Sequence, residues 1–161
     1  MALITTQTES MPDLNYEYHT VTIDTIGQAS ANTFTCHLQQ PIKNVVQARL
    51  MAARINTTTA TEHCYLSVEE LDTIFSDRAS NVLTGQASLS ILRGSFASLV
   101  GDGTATFLFR DHYPIISQYI TPIRRIDRFT VSIRDQTGGT IAPGTGNSFL
   151  VIRFVCRKPN L

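Results

Sequence analysis

The chain has 161 residues, 42% of them hydrophobic and 16% charged, and no net charge at pH 7. That length predicts one domain able to bury roughly 70% of the surface its unfolded chain exposes. A charge fraction well under the ~25% of an average globular chain excludes a charge-rich disordered protein, and the zero balance argues against a general nucleic-acid binder.

Residues 1–14, "MALITTQTESMPDL", lack periodicity and contain Pro12, so they read as an extended N-terminal arm before a domain at 15–161. The same stretch has no basic n-region and no long apolar core, so no signal peptide is expected. No run in the chain reaches the ~18 apolar residues of a membrane span.

"HTVTI" places His19, Val21 and Ile23 on one face and Thr20 and Thr22 on the other. "NTFTCHL" alternates in the same way, with Phe34, Cys36 and Leu38 on its apolar face. A period of two is the mark of a half-buried strand. "NVVQARLMAARIN" contains good helix formers. Its Val45, Gln47, Arg49, Met51, Ala53 and Ile55 also fit one face of a long strand, and strand is the reading adopted. "HCYLSVEEL" reads as a strand whose tip carries Glu69 and Glu70, and "LDTIFSDRASNVLTGQ" as a loop with at most one helical turn.

"SLSILRGSFASLV", "TATFLF" and "YPIISQYI" predict three short strands, the first two separated by Gly101-Asp102-Gly103. In "RFTVSIR", Phe129, Val131 and Ile133 alternate with Arg128, Thr130, Ser132 and Arg134, and "DQTGG" supplies the turn. "SFLVIRFVCR" is apolar on both faces, which predicts a central strand buried on both sides. About eight strands spaced by turns, with little helix, predict an all-β fold, a single jelly-roll β-sandwich.

The chemistry-bearing residues do not assemble into a known reaction pattern. His19, His37, His63 and His112 form no ligand-spaced pair, and Cys36-His37 and His63-Cys64 are neighbours that point to opposite faces of a strand. No nucleophile elbow surrounds Ser95. Glu69 and Glu70, consecutive in a strand, cannot bring both carboxyls to one substrate. The glycines of "TGGTIAPGTGN" lack a following Lys-Ser/Thr and a helix. The odd set Cys36, Cys64 and Cys156 reads as small buried hydrophobes rather than a disulfide framework. The expectation is a protein that is not an enzyme, with no cofactor, no metal and no specific nucleic-acid partner.

Charge is unevenly placed. Residues 1–90 carry 4 basic and 9 acidic groups, and residues 91–161 carry 9 basic and 4 acidic, 11 of the 13 bases being Arg. Either the halves pair within one fold, or one subunit's acidic side meets its neighbour's basic side.

The order of the motifs is itself informative. A strand with Tyr65, Leu66, Glu70 and Leu71 is followed by Phe96, Ala97 and Leu99. Then come Pro122, Ile126, Asp127, Phe129, Thr130 and Val131, a turn with Gly138, and a last strand opening on Ser148-Phe149. This order resembles the single jelly-roll minor capsid and penton proteins of icosahedral double-stranded DNA viruses of the nucleocytoplasmic large type. It covers about residues 45–157, with Asn147 where that family usually has a His. The resemblance implies a structural virion subunit, a penton or minor (cement) component assembled in the host cytoplasm. Its implied partners are copies of itself, as a pentamer, and other capsid proteins including the major capsid protein. Ile126, Phe129, Val131 and Ile133 would be core, and Asp127 would pair with a nearby arginine where the strand begins. Arg124, Arg125, Arg128, Arg134, Glu69 and Glu70 would face neighbouring subunits. The alternative reading is a non-enzymatic ligand- or receptor-binding β-sandwich module.

Overall fold

Among the described residues the alternating apolar segments form strands, several of which join into longer ones than their spacing predicts. The computed structural model describes residues 14–29, 33–57, 63–71, 96, 99–100, 106–135 and 146–159. It is all-β, with β1 Tyr16–Asp24, β2 Thr33–Asn56, β3 His63–Val68, β4 Leu99–Val100, β5 Thr106–Asp135 and β6 Phe149–Arg157. They make one antiparallel sheet in the order β1-β6-β2-β5-β3-β4. The arm up to residue 13, the loop from residue 72 with most of the expected strand at 88–98, the Gly101 to Gly103 punctuation and the turn from residue 136 lie outside the described residues.

Two expectations for β2 need correction. "NTFTCHL" and "NVVQARLMAARIN" are one 24-residue strand, and the second segment does not keep one face. Its buried residues are Val45, Ala48, Leu50, Ala53 and Ile55, so the phase slips twice. The slips fall at Val46 and Met51, each an extra residue opposite β6. A bulge shifts every later side chain to the other face. Gln47, Arg49 and Met51 therefore do not share a face with Val45, Ala53 and Ile55.

β5 merges three expected strands into a single 30-residue one. It leaves β2 twice, because Leu50 pairs with Ile115 while Ala52 pairs with Arg110, and Gln47 pairs with Gln118 while Val45 pairs with Ile123. β2 makes its own excursion over residues 38–41, between the His37–Arg128 and Ile42–Ile126 pairs. Asn44 then takes the left-handed conformation at φ 54°, which Asn tolerates better than most side chains.

These irregularities let the sheet fold back on itself. Phe129 pairs with Cys36, and Phe154 with Ala48. Cys36 and Ala48 would stand about 40 Å apart on a straight strand. Yet the two rings stack with centroids 5.5 Å apart and planes 13° from parallel. One buried cluster results, joining Ile23, Leu50, Phe154 and Cys156 from one half to Phe34, Leu66, Phe129 and Ile133 from the other.

The ends of three strands are fastened by buried polar groups. Thr25 N–H donates to Ser148 O at 3.1 Å, Ser148 N–H to Thr25 Oγ1 at 3.0 Å, and Asn56 N–H to Ser148 Oγ at 3.0 Å. Thr25, Asn56 and Ser148 are all buried, so these bonds satisfy groups that water cannot reach. Gly146 enters this knot at φ +112°, a conformation side chains rarely adopt, with Asn56 Nδ2 3.3 Å from where its Cβ would stand.

Candidate interaction surfaces

The first surface surrounds the arginine-rich strand. Ile126, Phe129, Val131 and Ile133 are buried in the core, which leaves Arg124, Arg125, Arg128 and Arg134 exposed. Arg125 Nε lies 3.5 Å from Asp127 Oδ2 with both side chains about 60% exposed, so this pair contributes about 0–1 kcal/mol.

Glu70 behaves differently. β3 ends at Val68, and Glu69–Leu71 forms a 3-10 turn rather than a strand tip. The last ladder pair between β3 and β5 is Val68 with Val131. One residue further along β5, Thr130 donates its N–H to Glu70 Oε2 at 2.7 Å and its hydroxyl to Oε1 at 2.9 Å. The carboxylate thus continues the pairing after the strand backbone has turned away. Arg128 Nε stands 3.6 Å from Oε1. Glu70 is therefore engaged within its own chain, while Glu69 is exposed. Leu71 O accepts the Tyr119 hydroxyl at 3.0 Å, which ties the same turn to β5.

The second surface was not singled out from the sequence. Tyr18, Val155, Gln47 and Gln118 form one cross-strand row over β1, β6, β2 and β5. Thr20, Arg153, Arg49 and Ile116 form the next row on that face, and Tyr16 with Arg157 the row on the other side. An open groove of about 620 Å³ lies here, floored by Val155 and Gln47 and walled by Tyr16 and Tyr18 from the β1 side. The bulge residue Val46 and the β5 excursion, through Tyr119 and Ile120, shape its other wall. Ile120 is 87% and Tyr18 57% exposed.

This face also corrects the expectation that β6 is buried on both sides. Leu150, Ile152, Phe154 and Cys156 are buried, whereas Phe149, Val151 and Val155 on the outer face are only half-covered and Arg153 and Arg157 are exposed. The extra apolar residues of β6 thus look outward. The groove escaped sequence reading because its members are dispersed and only strand register collects them. The alternation of Tyr16 and Tyr18 in "YEYHT" was the available signal.

The cysteines are free thiols, with Cys64 and Cys156 buried. Burial, reinforced by the Glu17 charge, pushes the Cys156 thiol up to about 11. Burial also raises Cys36, against a lowering hydrogen bond to Asp24 O. Cys36 and Cys156 therefore stay protonated near neutral pH and make poor nucleophiles. Among the described residues no cluster of three or more His, Cys, Asp or Glu could hold a metal ion, and no helix is long and apolar enough to cross a membrane.

No protein-family model matches the chain, and no curated protein matches it.

Proposed function

We propose that the chain is a structural virion protein: a single jelly-roll capsid subunit that forms the penton or a minor, cement component of an icosahedral shell. The observation that carries the reading is the contact between Glu70 and Thr130. These residues, 60 positions apart, belong to two of the motifs on which the resemblance rests, and they meet at 2.7 and 2.9 Å. Ser148, from a third motif, anchors Asn56 N–H. The motif residues therefore hold one another in place, which supports a role in the fold rather than in a reaction. An all-β sheet closed around one core, with exposed arginines along one strand, supplies rigid faces for contacts between subunits.

The test is the mass of the purified protein by size exclusion with light scattering across salt concentrations. A ring of about five subunits that loosens as salt rises is expected. A strict monomer at every concentration, alone and with the major shell protein, would overturn the reading. Arg124→Glu is the informative substitution and should impair assembly while sparing the fold. Arg128→Glu would also place a like charge beside Glu70, so it would disturb strand and contact together.

The groove walled by Tyr16 and Tyr18 favours a second reading, a ligand- or receptor-binding module.

A further inference from the structure

We propose that two copies of the chain pair edge to edge through β1, antiparallel about a two-fold axis at Tyr18, so that one sheet runs through both molecules. The inference goes beyond the shell reading and does not rest on it, because it uses β1 and not the arginine-rich strand.

β1 is an edge of the sheet. Among the described residues it pairs with β6 alone, and the opposite edge is the two-residue β4. The side of β1 that is left over follows from two bonds. Lys158 N–H donates to Asn15 O and Thr25 N–H to Ser148 O, and the register between them runs without a shift. Hydrogen-bonded pairs alternate along an antiparallel ladder. Glu17 and His19, in step with Asn15 and Thr25, therefore direct their N–H and C=O at β6. Tyr16, Tyr18 and Thr20 direct theirs the other way, along the open edge. At its far end this edge is taken, because Asp24 O accepts the Cys36 thiol at 3.6 Å. Glu17, Tyr18, His19 and Thr20 are exposed in succession, so both faces of this stretch are uncovered.

Charged side chains blunt an edge against casual pairing. Glu17 and His19 do so here, and they also select one partner. An axis at Tyr18 sets Tyr18 opposite Tyr18 of the second copy and Tyr16 opposite Thr20. All of these have outward backbone groups, and two bonds for each of three facing pairs make about six. Glu17 then falls opposite His19 of the second copy, and His19 opposite Glu17, in pairs whose Cα atoms stand about 4.5 Å apart. The two side chains already attract within one chain, His19 Nε2 lying 3.2 Å from Glu17 Oε1.

Other registers lose this match. An axis at Glu17 sets two carboxylates face to face. An axis at His19 leaves Glu17 opposite Val21. An axis at Thr20 sets Glu17 opposite the buried Ile23 and Tyr16 opposite Asp24, whose edge is occupied. A strand of another protein could add to the ladder but would not return both Glu–His pairs. The two-fold contact uses up the edge on both copies, so it closes at a dimer instead of propagating.

The experiment is sedimentation of the full chain over a dilution series, carried out on Arg124→Glu beside the parent so that the arginine contact does not contribute. A monomer–dimer equilibrium that salt changes little is expected for Arg124→Glu. Added to it, Thr20→Pro removes an N–H that β6 does not use and should weaken the dimer about tenfold or more while the circular dichroism stays. His19→Glu should weaken it by setting like charges opposite each other, and combining it with Glu17→Lys should restore it. Cross-linking fixes the register without needing a proline. Tyr18→Cys brings two thiols onto Cα atoms about 5.5 Å apart, within disulfide reach, and should give a covalent dimer under a mild oxidant. Thr20→Cys leaves them about 14 Å apart along the strands and should not.

A strict monomer for Arg124→Glu at every concentration up to about 1 mM would overturn the inference, and would leave the ring to be judged by its own response to salt. A dimer that neither Thr20→Pro nor His19→Glu weakens would also overturn it, and would place the contact on another surface. So would Thr20→Cys cross-linking as readily as Tyr18→Cys, which would put the axis elsewhere.

Discussion

Phe129 and Phe154 stack at 5.5 Å although their strands are not paired in the sheet. Their contact crosses the interior and closes one half of the sheet on the other. Phe129→Ala or Phe154→Ala should each cost about 3–5 kcal/mol in denaturant unfolding. A double-mutant cycle should return a coupling of about 0.5–1.5 kcal/mol. Additive losses would mean that the rings fill space without gaining from each other.

Glu70 and Arg128 should differ in effect despite being partners. Glu70→Ala leaves the Thr130 N–H and hydroxyl without their acceptor and should destabilise by about 1–3 kcal/mol. Arg128→Ala removes a side chain that is 60% exposed and should cost under about 1 kcal/mol. Chemical denaturation of the two variants checks the order, and equal losses would mean that the ion pair matters more than the hydrogen bonds.

Ser148→Ala should destabilise by about 1–3 kcal/mol, because the buried Asn56 N–H loses its acceptor. Gly146→Ala should also lower the melting temperature, through backbone strain at φ +112° and crowding of Asn56. Thermal unfolding of both variants measures this, and an unchanged melting temperature for Ser148→Ala would show that water replaces the hydroxyl.

Stability should fall in alkali. The Cys156 thiol is held from an ordinary 9.0 up to about 11, so between those values the unfolded chain has lost a proton that the folded chain keeps. Rising pH therefore favours unfolding across that window. Glu17→Gln, which removes the smaller of the two causes, should move the upper limit of the window down. Urea unfolding from pH 8 to 11 tests both statements, and a flat profile would mean that Cys156 titrates as it does in the unfolded chain.

Strand character was legible in the sequence wherever one face is buried without interruption, as in "RFTVSIR", whose Phe129, Val131 and Ile133 are all core. The phase of β2 was not legible. Val46 and Met51 look like ordinary strand residues, and only pairing with neighbouring strands makes them extra. From the sequence Glu70 reads as the tip of a strand, because its partner, Thr130, is 60 residues away. The apolar outer face of β6 reads as burial in the sequence because composition alone does not distinguish a side covered by its own fold from a side left open. The groove depends on register across four strands, information that no local pattern carries.

The pairing of β1 has a consequence for how the molecule is made. Among the described residues β1 takes its ladder from β6 alone, beginning with Tyr16 opposite Arg157, and Lys158 N–H donates to Asn15 O at 2.9 Å. β1 must therefore wait for β6, more than 120 residues later in the chain, before it can pair. Until β6 emerges, no other strand among the described residues holds Tyr16 and Tyr18, and the β6 side of β2 is an open edge able to pair with another nascent chain. Such long-range closure is slow. The two halves of the β1–β6 ladder thus lie at opposite ends of the described chain, and the edge that β6 will cover stays open for as long as the residues between them take to be made.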